Sequence, residues 1–128
     1  MRLMKKKSSP AFEAIRKAAL AYPDTREDHP WGEIAIKVKG KVFVFMGTSD
    51  EGFGFSVKLP KSGPSVLKKR KKHASPTHYG LGRHGWVSLA FARDADVPMK
   101  EALAWIDESF RAVAPKRVLD ALPKRGAI

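Results

Sequence analysis

The chain has 128 residues, 43% of them hydrophobic, no cysteine, and a formal net charge of +12 at pH 7. This length suits one domain with one core, and the lack of thiols excludes disulfides, thiolate catalysis and cysteine zinc sites, as expected in a reducing cytoplasm. No apolar run approaches the roughly 20 residues of a membrane span, no signal-type apolar core is expected after the basic start, and the charge points to nucleic acid or an anionic surface.

Residues 1–9 form a basic arm with Arg2, Lys5, Lys6 and Lys7. It reads either as a solvated terminus or as a phosphate-seeking tail. Ser9 followed by Pro10 signals a helix start, a capping hydroxyl before a proline at the first helical position. Phe12, Ile15, Ala19 and Tyr22 recur every three or four residues, predicting a helix of about 13 residues that Pro23 ends. The acidic segment Asp24 to Asp28 reads as a loop.

Strands follow. Ile34, Ile36 and Val38 alternate with Ala35, Lys37 and Lys39, the period of a half-buried strand. Lys39-Gly40 makes a turn. Val42 to Met46 is apolar on both faces and is expected to be central. After a turn at Thr48 to Gly52, Phe53, Phe55, Val57 and Leu59 mark a third strand, completing an antiparallel meander.

Gly63-Pro64-Ser65 starts a helix with few apolar anchors, expected to run to about His73 and to lie mobile at an edge. It carries Lys68, Lys69, Arg70, Lys71 and Lys72. Thr77 to Gly80 reads as a short fourth strand, and Trp86 to Phe91 as a fifth. Met99, Leu103, Ile106, Phe110 and Val113 make the strongest helical stripe in the chain. Pro115 breaks it, Lys116 to Leu122 forms a last short helix, and residues 123–128 a basic tail. Residues 10–122 are thus one α+β domain: two layers, with helices on one face of an antiparallel sheet. The other face carries Lys37, Lys39, Ser56, Lys58, Trp86 and Ser88. It is either a docking surface or a solvated face with Trp86 covered by a loop.

From Gly52 to Arg93 there are nine Lys and Arg and no Asp or Glu. Gly80-x-Gly82-x-x-Gly85 matches a dinucleotide fingerprint, but a strand follows where a helix must. Val87 extends the match to the kinase glycine loop, whose other signatures are missing. The glycines therefore read as a tight turn. His73, His78 and His84 have spacings that suit no helical ligand pair, so no metal is expected. His29 beside Asp28 has no nucleophile. Glu101, Asp107 and Glu108 fall on the polar side of the long helix and are expected to be solvated. No helix presents Asn, Gln and Arg for base edges.

His29-Pro30-Trp31-Gly32-Glu33, Lys37 to Phe43, Val57-Lys58-Leu59, Tyr79 to Val87 and Ile106-Asp107-Glu108-Ser109-Phe110, in that order, resemble the MmcQ/YjbR family over about residues 11–122. Phe110 departs mildly, standing where the family commonly has Tyr. The resemblance implies a secretion-chaperone-like fold of helix, three strands, helix, two strands and helix, with five strands in the order one, two, five, four, three. It also implies DNA binding through a double wing of strands and loops. The matching candidates are Lys37, Lys39, Lys41, Lys58, Arg83, His84 and Trp86; the run Lys68, Lys69, Arg70, Lys71 and Lys72 is this chain's own.

The expected function is DNA binding of low sequence specificity, with phosphate contacts dominating. Double-stranded DNA is the expected partner, and the expected state is a monomer or weak dimer with no membrane, cofactor or metal. One alternative is a protein- or peptide-interaction module. Another, an enzyme on an anionic small molecule, needs a concave pocket near Trp31, Arg83, His84 and Trp86; no enzyme is the expectation.

Overall fold

The structure, a computed structural model, describes residues 9–29, 33–78, 80–93 and 95–122. The basic arm up to residue 8, Pro30, Trp31, Gly32, Tyr79, Asp94 and the tail over residues 123–128 lie outside them. Helix α1 spans Pro10–Leu20, β1 Thr25–Asp28, β2 Ile34–Val38, β3 Lys41–Ser49 and β4 Gly52–Lys58. Then come α2 at Gly63–Lys69, β5 at Ala74–Pro76, a 3-10 turn at Leu81–His84, β6 at Trp86–Ala92, α3 at Met99–Val113 and α4 at Lys116–Asp120.

The start of α1 follows its sequence signal. The Ser9 hydroxyl accepts from the Phe12 N–H at 3.1 Å, and Pro10 opens the helix. Phe12, Ile15 and Ala19 are buried. All strand pairs are antiparallel, in the order β1-β2-β3-β4-β6-β5. The expected central strand is interior. Phe53, Phe55, Val57, Val87, Leu89 and Phe91 turn one face of the sheet to α1 and α3 and share their core.

Five expectations need correction. The acidic segment is not a loop, because Thr25–Asp28 adds a sixth strand against β2, from Thr25↔Val38 to Asp28↔Ala35. It carries no apolar alternation, and its charges suit an edge strand. The implied order is also not found. The meander keeps β4 beside β3 through the tight turn at residues 49–52, so β6 adds to the far side of β4. The fourth strand is Ala74–Pro76, since the backbone turns at Gly80 with φ +79° into the 3-10 turn. Helix α2 stops at Lys69, where Arg70 leaves helical angles, and Val66 is buried in the core. On α3 the bounds are as expected, but Leu103 is 42% exposed. The buried face is Ala102, Trp105, Ile106, Ser109 and Phe110.

Ser109 is a fully buried polar residue. Opposite Ile36 and Lys37 of β2, β3 carries one extra residue, and this bulge leaves Phe43 without a partner there. On its other side, the β3–β4 register would next set Phe43 opposite Lys58, beyond Val44↔Val57. The Ser109 hydroxyl stands between them. It donates to the Phe43 carbonyl at 2.6 Å and accepts from the Lys58 N–H at 2.8 Å. Two buried backbone groups are thus satisfied by one side chain from α3. Ser109→Ala removes both bonds inside a closed core and is expected to cost about 1–3 kcal/mol. Urea denaturation measures it, and a change within the error of the fit overturns the bridging role.

Candidate nucleic-acid interface

The candidate cations divide into two groups. In the first, carboxylates intervene. Lys37 Nζ lies 2.9 Å from Asp28, and Lys39 Nζ 3.7 Å from Asp24. Arg70 holds Glu101 of α3 with two nitrogens, its Nε at 3.2 Å. Asp28 is pulled below the usual carboxylate range, first by the Lys37 hydrogen bond. The acids on α3 are therefore not simply solvated. Besides Glu101, Asp107 accepts from Tyr22 and pairs with Arg111, and Glu108 accepts from the N–H groups of Lys61 and Ser62 and from the Ser62 hydroxyl. The His73 ring stacks on Phe91 at 4.6 Å and meets the Ala90 carbonyl, a structural position.

In the second group, Lys41, Lys58, Lys68, Lys69, Lys71, Lys72 and Arg83 have no ion pair among the described residues. Lys41 stands exposed at the β2–β3 turn. Of this group, Arg83 lines a cleft of about 370 Å³ between α2 and the glycine-rich turn. Leu59, Pro64 and Leu67 form its apolar side; Arg83, His84 and Trp86 form the other. Helical spacing sets Lys68 on the same side of α2 as Pro64, one turn on.

Backbone bonds fix the cleft. The Leu59 N–H donates to the Gly85 carbonyl at 2.7 Å, and the Leu59 carbonyl accepts from Gly63 at 2.9 Å. Gly85 has φ +87°, and a Cβ there would stand 3.4 Å from Pro60. At Gly82 a Cβ would meet Pro76 at 2.9 Å. The glycines of the fingerprint thus allow close backbone approach, and the Arg83 guanidinium packs over Gly80.

Trp86 is 8% exposed and packs on Phe45 with ring centroids 5.6 Å apart. It pairs with Lys58 across β4 and β6. Beyond it, on the face away from α1 and α3, the Ser56 and Ser88 hydroxyls lie 2.7 Å apart and Ser88 lies 2.9 Å from Thr77. This matches the expected second face, with Phe45 as an aromatic the alternation did not single out.

The YjbR family model matches residues 20–112. The chain belongs to the YjbR family. Its YjbR fold is similar to the crystal structure of the Deinococcus radiodurans protein DR2400, which carries a DUF419 domain. The two share 18% identity with a TM-score of 0.72, over 91% of this chain and 93% of that one. No curated protein matches. Within the described YjbR domain, no helix is long and apolar enough to cross a membrane.

One acidic group outside the cleft ties β1 to α1. Arg16 reaches both oxygens of Glu27, at 2.7 and 2.6 Å, and His29 Nε2 lies 2.7 Å away. These bonds, the Arg16 pair foremost and against partial burial, hold the Glu27 carboxyl below its usual range. A lowered folded pKa adds stability above the unfolded pKa and loses it as pH falls through the folded value. Glu27→Gln is therefore expected to lower stability at neutral pH and to flatten the loss that the native chain shows below about pH 4.5. Urea denaturation across that range reads it, and an unchanged acid limb overturns the assignment.

Proposed function

We propose that this protein binds DNA with low sequence specificity, through phosphates taken up by the cations around the α2–turn cleft. One observation carries this reading. Arg83 and His84 line a single concavity, with Lys68 one turn past its lining residue Pro64 on α2, in a segment that contributes no carboxylate from Gly52 to Arg93. Cations without a carboxylate partner draw a polyanion and release its counterions. The cations at the first hairpin are a weaker contribution, since Lys37 and Lys39 already face Asp28 and Asp24. Of the first hairpin, Lys41 at the β2–β3 turn is the cation left to reach a phosphate.

Low specificity follows from what lines the cleft. Its described side chains offer no amide to read a base edge. They also include no carboxylate or hydroxyl to act as nucleophile or base beside His84, which favours binding over a reaction on a small anion. Helix α3, the longest, packs its apolar side on the sheet and is not free to enter a groove. Duplex DNA is the partner this surface suits first. The half-buried Phe45 on the open sheet face supports a second reading, a peptide-docking module.

Duplex affinity across a salt series tests the proposal. The log–log slope is expected to fall in magnitude by about 0.9 for each phosphate that Lys68→Ala or Arg83→Ala leaves without its cation. Lys37→Ala, which removes a cation already paired, is expected to change it far less. A salt-independent affinity, or no response to Lys68→Ala and Arg83→Ala, overturns DNA binding at this surface. A protein partner whose capture survives nuclease and moderate salt, with no duplex binding, establishes the peptide module instead.

A further inference from the structure

We infer that the α2–turn cleft receives an unpaired nucleotide, so that the protein favours DNA with an exposed base over an intact duplex. The inference rests on the DNA-binding reading and deepens it. Phosphate contacts alone require cations on an open surface. They do not require an apolar wall, yet Arg83 and His84 here share a cleft with Pro64 and Leu67, above the buried Leu59. The apolar part of a DNA strand is the face of its bases, and that face is exposed only where a base is unpaired or flipped.

Size and shape agree. A volume of about 370 Å³ lies in the range of small-ligand sites, roughly 300–1,000 Å³. The cleft is also preformed. Leu59 is fully buried, its backbone is bonded to both Gly85 and Gly63, and Trp86 is braced from behind by Phe45. Little ordering is then left for binding. Charge and apolar surface are arranged as a nucleotide needs them. A base lies against Pro64 and Leu67 on one side and the edge of Trp86 on the other, while its phosphate meets Arg83 and His84 at the exposed lip. Lys68, one turn past Pro64 on α2, takes the next phosphate. A base seated this way is held by its faces, so thymine, cytosine and the purines are accepted alike.

The experiment uses the full chain and three DNAs: a blunt duplex, the same duplex with three unpaired thymidines at each 3′ end, and that duplex with three abasic sugar-phosphates in their place. The last two carry equal phosphate charge and differ only in the bases. The thymidine form is expected to bind about tenfold more tightly than the abasic form, the scale of one stacked base. Leu67→Ala keeps the charge and removes part of the apolar wall. It is expected to shrink the thymidine advantage, read as the ratio of thymidine-form to abasic-form affinity in that variant, to about twofold. Should that variant not fold, the abasic comparison on the native chain decides alone. Equal affinity for thymidine and abasic forms overturns the inference and leaves phosphate binding standing. An equal loss for abasic and thymidine forms in Leu67→Ala overturns the placement in the cleft. No binding to any of the three overturns inference and reading together.

Discussion

One hydroxyl sets the frame of this molecule. Ser109 of α3 stands where β3 and β4 would next bond to each other, bridging the Phe43 carbonyl and the Lys58 N–H. The bulge in β3 opposite Ile36 and Lys37 of β2 leaves Phe43 out of that pairing too. Without a donor from α3, the carbonyl would be buried and unpaired, a cost comparable to a lost hydrogen bond. The preceding residue on the helix, Glu108, accepts three bonds from Lys61 and Ser62. Two adjacent side chains of α3 therefore hold the end of β4 and the turn into α2. Leu59 lies between those anchors, and its backbone ties Gly85 to Gly63. The end of β4 and the turn into α2, which flank the cleft, are thus held from a core helix that does not line it.

Charge is organised by the same element and by β1. A net charge of +12 describes the chain, not its surface. Asp24 and Asp28 lie against Lys39 and Lys37, and Glu101 takes Arg70. Exposed pairs of this kind add little stability. Their larger effect is on what a polyanion meets, because a phosphate must compete with a carboxylate already in place. Of the basic run, the arginine is thus taken by α3, while the neighbouring lysines of α2 remain without such a partner among the described residues. Fewer of the candidate cations are free of a carboxylate than the sequence count suggests: Lys41 is left at the first hairpin, and Arg83 at the glycine-rich turn.

The parts of this fold legible in the sequence are those whose pattern is local. The Ser9-Pro10 cap, the alternation through β2, β4 and β6, and the period of α3 each specify their element without help from distant residues. β1 was not legible, because its four residues are Thr, Arg, Glu and Asp. Nothing in them favours a strand until β2 supplies the backbone partner and Arg16 and Lys37 supply the counter-charges. Leu103 misled for a related reason. Ala102, Trp105 and Ser109 share the inner side of α3, and a hydrophobic stripe discounts a serine whose value comes from two backbone groups remote in sequence. The cleft was legible only in part. Arg83, His84 and Trp86 are named by the motif, but their opposing wall of Leu59, Pro64 and Leu67 appears only once β4, α2 and β6 are brought together.

That wall bears on what kind of selectivity such a surface can have. Sequence readout needs donors and acceptors set at fixed positions against base edges. Here the described lining offers a cationic guanidinium, an imidazole and apolar surface. On the proposed reading, those groups would discriminate between a base that is stacked in a duplex and one that is free, without regard to which base it is. The cost of unpairing is smallest where a strand is already frayed, overhanging or damaged, so the proposed preference would fall on the state of the DNA rather than its sequence. A rigid cleft held from the core by Ser109 and Glu108 suits that task better than a flexible loop would, because a loop that adapts to the backbone of an intact duplex would lose the distinction.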